Sequence, residues 1–346
     1  MKGVILAIAL AASCWAQGTF TNPLLPSGAD PWVTQKDGYY YYLNSTGINI
    51  TIWKTRSIPD LAHATPTVVW TPPSSGAYSH EIWAPELHFL RGKWYLYFAG
   101  DERTNQTHRI FALENPSADP TQGTWTFKGK VADPAADRWA IDASVFENRG
   151  KLYMIWSGWE GDENGAQNIY IAPMSDPWTI AGPRVLLSRP EYPWEKVGDL
   201  QHVPGEPPHV DVNEGPEILA HGDDLFLIYS ASGCWTDYYE LGMLHAAANA
   251  DLLNPRSWTK SRKPVFHEAA DADTFATGHN GFFKSPDGKQ DWIIYHANPG
   301  PNQGCGQRRQ PRAQQFTWNA DGSPNFGIAV PVGIAIPRPS GEALVP

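Results

Sequence analysis

Arg91-Gly92-Lys93-Trp94-Tyr95-Leu96-Tyr97-Phe98 is a glycine turn followed at once by a short, aromatic, apolar run. A run of this length and composition reads as a buried strand entered through a tight turn. The arrangement recurs five times. Turn glycines Gly38, Gly92, Gly150, Gly222 and Gly288 precede strand cores at 39–43, 94–98, 152–156, 225–229 and 292–295. Further strand-like runs at 50–53, 109–112 and 168–172 each follow a core strand.

The turn glycines are 54 to 72 residues apart. That period is too long for a helical solenoid and suits four-stranded blades joined by long loops. The expectation is an all-β chain forming one five-bladed β-propeller domain over residues 18–346, with its blades between about residue 20 and residue 340. Segments 133–137 and 204–208 read as loops between blades. Eight residues before the turn glycine, three copies carry an acid: Asp30, Asp142 and Glu214. Glu86 lies six before Gly92, and His279 nine before Gly288. Scattered acids do not keep such a phase. If the first strand of each unit runs along a shared axis, the three acids meet in one cavity.

Composition agrees. The 346 residues include 31 Gly and 31 Pro, and charged residues make up only 18%, which favours short strands and many turns. Sixteen Trp, 14 Tyr and 13 Phe exceed what a β core requires and suit a groove in which sugar faces stack on rings. A net charge of -10 argues against nucleic acid as a partner. No membrane-spanning stretch follows the N-terminus.

Residues 1–17 read as a secretory signal peptide: Lys2, an apolar run over 4–12, then small residues, with a cut after Ala16. The expected location is extracellular; a periplasmic location or a lipoprotein anchor at Cys14 are the alternatives. After cleavage Cys234 and Cys305 remain, in similar glycine-rich contexts, and either pair as a disulfide or stay separate buried thiols. Asn44, Asn49 and Asn105 begin Asn-x-Ser/Thr triplets that matter only in a eukaryotic host.

Glycoside hydrolysis needs two carboxyl groups in different protonation states, one to protonate the leaving oxygen and one to activate water or attack. A third carboxylate raises the acid's pKa by repulsion. An oxygen-rich calcium site is the competing chemistry. A lone Asp before a strand is usually a turn cap. The shared phase and the flanks Gly-Ala-Asp-Pro-Trp, Ala-Ile-Asp-Ala-Ser and Asn-Glu-Gly-Pro-Glu reverse that reading.

At these residues the chain resembles glycoside hydrolase family 43, over nearly its whole length from Asn22 to about Val332. The resemblance implies a five-bladed propeller and inverting chemistry. Gly28-Ala29-Asp30-Pro31-Trp32 matches the family's base motif, Ile141-Asp142-Ala143-Ser144 that of a pKa-tuning Asp, and Asn213-Glu214-Gly215-Pro216 that of the general acid. By that resemblance Asp30 activates a water, Glu214 protonates the departing oxygen and Asp142 stays charged between them. Glu217 is the rival acid, set aside because Glu214 fits both motif and phase. His80-Glu81-Ile82-Trp83-Ala84-Pro85-Glu86 resembles the second-blade motif. Gly278-His279-Asn280 resembles the fifth-blade motif, whose His lies on the axis near a bound calcium or other ion. Arg312 matches a basic residue that contacts the sugar. No cofactor is implied as required; a structural Ca2+ on the axis, near His279, is the one allowed.

Trp83 and Trp139 stand near carboxylate motifs as candidate sugar platforms, against a packing role. Trp235, Asp237 and Tyr238 form an aromatic loop at the expected entrance. The motif style resembles the arabinofuranosidase branches most, and the lack of a C-terminal β-sandwich within the chain favours them over the xylosidases. The expected activity is removal of terminal α-L-arabinofuranosyl units from arabinan, arabinoxylan or related oligosaccharides by a monomer. The alternatives are a β-D-xylosidase, a galactofuranosidase, an endo-arabinanase and, from another class, a non-catalytic carbohydrate-binding propeller.

Overall fold

The glycine turns open the hairpins of five successive antiparallel units. A computed structural model describes residues 18–201 and 205–342. The signal-peptide and Cys14 readings fall on residues 1–17 and lie outside the described residues. Unit 1 comprises Ala29–Lys36, Tyr39–Ser45, Ile50–Thr55 and Pro66–Trp70. Unit 2 comprises His80–Leu90, Lys93–Asp101, Arg109–Asn115 and Thr126–Lys130. Unit 3 comprises Ala140–Asn148, Lys151–Gly158 and Ala166–Asp176, edged by Thr179–Ile180 and Val185–Ser188. Unit 4 comprises Asp211–His221, Asp224–Ala231, Glu240–Ala247 and Thr259–Lys260. Unit 5 comprises Phe275–Lys284, Asp291–Asn298, Gln310–Trp318 and Pro324–Asn325. Units 3 and 4 join into one nine-stranded sheet through two parallel pairs, Ala166 with Asp211 and Gln167 with Val212. Helical segments among the described residues are short 3₁₀ turns, so the protein is all-β.

The second strand of every unit is apolar on both faces because it is covered on both. Trp94, Leu96, Tyr97 and Phe98 are essentially inaccessible to solvent, as are Ile155, Leu227, Ile228, Tyr229, Ile293 and Tyr295. Their side chains fill five cores, each between neighbouring units. One core joins units 1 and 2 through Tyr41, Leu43, Trp94 and Leu96, and another joins units 2 and 3 through Tyr95, Tyr97, Met154 and Trp156. The next two join units 3 and 4 through Ile155, Ile171, Leu227 and Tyr229, and units 4 and 5 through Phe226, Ile228, Ile293 and Tyr295. The fifth core returns from unit 5 to unit 1 through Val33, Tyr40, Tyr42, Trp292 and Ile294. The first strands touch in the same cyclic order.

The N-terminal segment seals this return. Phe20 pairs with Ile336. Asn22 makes two hydrogen bonds to the backbone of Ala313, and the Gly28 amide donates to the Arg309 carbonyl. No helix among the described residues is long and apolar enough to cross a membrane. Of the glycosylation triplets, Asn44 is buried, and its amide donates to the Tyr42 hydroxyl.

Cys234 and Cys305 form a disulfide across a sequence separation of 71 residues. It ties the loop after the second strand of unit 4 to the loop before the third strand of unit 5. Closing a loop of that length typically stabilises by about 2–4 kcal/mol. Replacing both cysteines with serine is therefore expected to lower unfolding stability by roughly that amount, read from denaturant melts in which the midpoint falls.

Candidate active site

Each first strand carries a β-bulge at the same height, and the bulge aims the site. Register breaks fall between Ala29 and Trp32, Trp83 and Glu86, Ile141 and Ser144, Glu214 and Glu217, and Gly278 and Gly281. One residue within each break is left-handed: Asp30, Ala84, Asp142, Gly215 and His279. A bulge bends the strand and re-aims its side chains. Asp30 and Asp142 are the left-handed residues themselves, whereas Glu214 precedes its left-handed Gly215. The spacing of eight hides this offset, because the turn glycine is the second turn residue in units 1 to 3 and the first in unit 4. Gly215 is required where it stands: φ is +55°, and a Cβ there would lie 3.2 Å from the His279 ring.

Asp30, Asp142, Glu214, His279 and Arg309 line one cavity of about 460 Å³, whose walls include Trp83, Trp139 and Trp235. That size is ordinary for a small-ligand site. Asp30 is buried and surrounded by donors. Arg309 Nη1 donates to Oδ1 at 2.8 Å, and Ser45 Oγ to Oδ2 at 2.6 Å. His279 Nδ1 lies 3.3 Å from Oδ1. His296 Nδ1 accepts the Asp30 amide at 3.1 Å, so this nitrogen carries no proton and His296 is neutral despite lying near the carboxylate. Burial alone would raise the Asp30 pKa. The Arg309 guanidinium, aided by His279 and Ser45, outweighs it and holds the carboxyl well below the usual range. Asp30 is ionised at neutral pH.

Glu214 meets the opposite environment. Burial pushes it up to about 7; the Tyr239 hydroxyl, donating at 2.9 Å, pulls against this, while Asp30 adds to it. Asp142 is pushed well above the carboxylate range by burial and then by Glu214 and Asp30, against the Gly215 amide, which donates to Oδ2 at 2.9 Å. This corrects the expectation that Asp142 stays charged. With Glu214 beside it, the pair holds protons as a unit.

Two residues beyond the left-handed positions of units 2 to 4, Glu86, Ser144 and Glu217 form a deeper polar layer. Glu86 and Glu217 are equivalent here; both are buried and pushed well above the carboxylate range, chiefly by burial. Asn280 donates to Glu217 at 3.5 Å, and His88 lies 2.9 Å from Glu86. Glu217 is absent from the cavity wall, which removes it as a rival to Glu214.

Trp83 forms part of the wall and stacks on His108, with ring centroids 4.0 Å apart. Trp139 is buried, stacks on Trp159 and donates to the Asn105 carbonyl, so most of its ring packs against protein. Trp235 lines the entrance side, whereas Tyr238 faces solvent. His279 does not sit in an ion-binding donor set. Its neighbours are Asp30, already answered by the Arg309 cation, and neutral His296. Among the described residues, the His and carboxylate atoms that converge are those of Glu81, Asp101 and His108.

Arg312 is a correction. It lies within the strand Gln310–Trp318, fully buried, donating to Thr274 Oγ1 at 2.7 Å and to the Asn298 carbonyl. It packs unit 5 and is absent from the cavity wall. Arg309, in the loop just before that strand, is the cavity's cation. Sequence reasoning missed it, along with Ser45 and Tyr239. Ser45 was recoverable, since it pairs with Ala29 across the first hairpin. Tyr239 and Arg309 come from loops of units 4 and 5 that carry no periodic signal.

The family model for glycosyl hydrolases family 43 matches residues 20–324. An extracellular exo-alpha-(1->5)-L-arabinofuranosidase of Streptomyces avermitilis is 40% identical over 330 residues, covering 91% of this chain and 65% of that protein. Alpha-L-arabinofuranosidase 43 of Humicola insolens is 35% identical over 342 residues, covering 95% of this chain and 68% of that protein. The chain thus spans just under two thirds of the Streptomyces relative's length. The crystal structure of an alpha-L-arabinofuranosidase from Lactobacillus brevis superposes with a TM-score of 0.84 at 38% identity, over 91% of this chain and 98% of that one.

Arg309→Ala is expected to return the Asp30 carboxyl toward the ordinary carboxylate range, so that it loses its charge at a higher pH than in the native protein. A 13C titration of the side-chain carboxyl measures this. Arg312→Ala should leave that titration unmoved and instead cost about 2 kcal/mol or more of stability, because it strips partners from buried groups.

Proposed function

The chain belongs to glycosyl hydrolases family 43, and from that premise we propose that it is an exo-acting α-L-arabinofuranosidase. It removes terminal arabinofuranosyl units from arabinan, arabinoxylan or their oligosaccharides, with inversion at the anomeric carbon. The relatives' names support the sugar and the exo action. One observation carries the chemistry: a single cavity keeps one carboxyl ionised, Asp30, and raises another, Glu214, to about 7.

In this reading Asp30, held as a carboxylate by Arg309 and oriented by Ser45, takes a proton from the attacking water. Glu214, protonated and positioned by Tyr239, gives its proton to the departing oxygen. Asp142, bonded to the Gly215 amide and raised with Glu214, shares the pair's proton holding and so keeps a proton available beside the departing oxygen. Trp83 offers a ring to the sugar. The five cores in cyclic order support reading the units as the blades of a five-bladed β-propeller forming one domain over residues 18–346. A signal peptide at 1–17 would deliver the monomeric enzyme outside the cell, in keeping with the extracellular relative.

Nitrophenyl α-L-arabinofuranoside, β-D-xylopyranoside and β-D-galactofuranoside, offered in parallel, test the sugar. Release from the arabinofuranoside alone is expected, and proton NMR of the first product should show the inverted anomer. Asp30→Asn and Glu214→Gln should each cut kcat by about 10²–10⁴-fold while leaving thermal melts intact. Near-native turnover in either variant removes that residue from its role.

The pH profile has a fixed sign. Asp30 stays ionised far into acid, so the working form persists as pH falls to where other groups fail. Glu214 must keep its proton, and its value of about 7 means that kcat/KM falls as pH rises past neutrality. Tyr239→Phe removes the hydroxyl that stabilises the Glu214 anion, and should move this alkaline limb to higher pH.

A further inference from the structure

We propose that Glu81, Asp101 and His108 form a binding site for a first-row divalent metal ion, zinc by the chemistry of its donors, set in the wall of the cavity. The three come from separate elements of unit 2. Glu81 lies in the first strand, within its own bulge between His80 and Trp83, at φ +46°. Asp101 ends the second strand, and His108 precedes the third, just after a 3₁₀ turn at Asn105–Thr107. One ligand atom from each lies within 4.8 Å of the others.

Two of these atoms are buried without a partner. Asp101 and His108 are 0% exposed, and both Asp101 Oδ2 and His108 Nε2 lack a hydrogen bond. The other atom of each group is engaged. The Arg103 amide donates to Asp101 Oδ1 at 3.2 Å, and His108 Nδ1 lies 3.0 Å from the Asn105 carbonyl. A carbonyl can only accept, so Nδ1 holds the ring proton and Nε2 presents its lone pair. Metal-ligating histidines are oriented in this way. The Nε2 lone pair faces Glu81 Oε2 at 3.8 Å, beyond hydrogen-bond reach.

A histidine lone pair and an oxygen from each of two carboxyl groups thus converge on one point. A divalent cation answers every one of these deficits. The donor set selects the ion. Calcium seeks six to eight oxygens, whereas an imidazole nitrogen with two carboxylate oxygens suits a four-coordinate zinc. Zinc ligands about 2.0–2.2 Å from the metal stand on the order of 3.4 Å apart, which calls for only a small inward movement. Glu81 is about half exposed and lines the cavity, so the fourth position would face the cavity and take water.

The ion would act as a clasp. His108 carries the stacked Trp83 ring, and Asn105 receives the Trp139 indole, so fixing residues 101–108 fixes that wall. The ion would bind in the same place whichever sugar the cavity accepts.

The test uses the full chain, stripped with a chelator and then dialysed against zinc chloride or calcium chloride. Elemental analysis is expected to find one zinc per chain. Saturating zinc should raise the melting temperature by about 3 °C or more, since an ion that binds only the folded state stabilises it by mass action. Glu81→Gln, at the accessible ligand, should weaken zinc binding at least tenfold and abolish the rise; cobalt(II) should give the native protein a visible absorption band that this variant lacks. A native chain that takes up no zinc and shows no shift overturns the site, and would mean that a proton on Glu81 is shared with Asp101 instead. Undiminished zinc binding by Glu81→Gln overturns it as well. Calcium bound in preference to zinc overturns the assignment of the ion.

Discussion

One backbone irregularity, repeated in five strands, is what the rest depends on. A regular strand sends alternate side chains to opposite faces, and in a stack of sheets both faces are packed by neighbours. A left-handed residue in each first strand breaks that alternation and turns a side chain out of the packing and into the space that the strands surround. Non-glycine residues resist that conformation. Four of them, Asp30, Ala84, Asp142 and His279, persist in equivalent places because ladders on either side and apolar cores between units hold them. The stability of the Trp, Tyr and Ile cores thereby becomes the precision of the cavity.

Within the cavity, environment alone separates chemically similar groups. Asp30 and Glu214 are both buried carboxyls. Arg309 gives one a cation, whereas the other receives a single neutral hydroxyl and sits near more negative charge. The result is one base and one acid without any difference in the intrinsic chemistry of the carboxyl. The supports come from outside the repeats. Arg309 and the Cys305 end of the disulfide share a loop, and Cys234 anchors that loop to the one leading to Tyr239. The same staple therefore spans the supports of both carboxyls.

The core strands and their hairpin turns were legible because burial on both faces demands continuous aromatic and β-branched runs, and because tight turns demand glycine. Asp30, Asp142 and Glu214 were legible through their phase. That phase concealed a one-residue offset in unit 4, since the turn glycine changes place and Gly215 takes the left-handed position. Arg312 shows the opposite failure. A basic residue inside a strand was read as a ligand contact, yet its strand position commits it to packing, and the neighbouring loop supplies Arg309. For Trp139 the sequence leaves platform and packing open, and most of its ring is spent on Trp159.

By itself the sequence determined that the chain is built of repeated β units, and that three acids stand at repeating positions near one end of their first strands. Both follow from local rules: alternation, turn chemistry and periodic spacing. The tertiary structure alone decided which carboxyl is charged, which arginine serves the cavity and that Cys234 meets Cys305. Those outcomes depend on distances between loops far apart in the chain, and electrostatic and covalent contacts act through space rather than along the sequence.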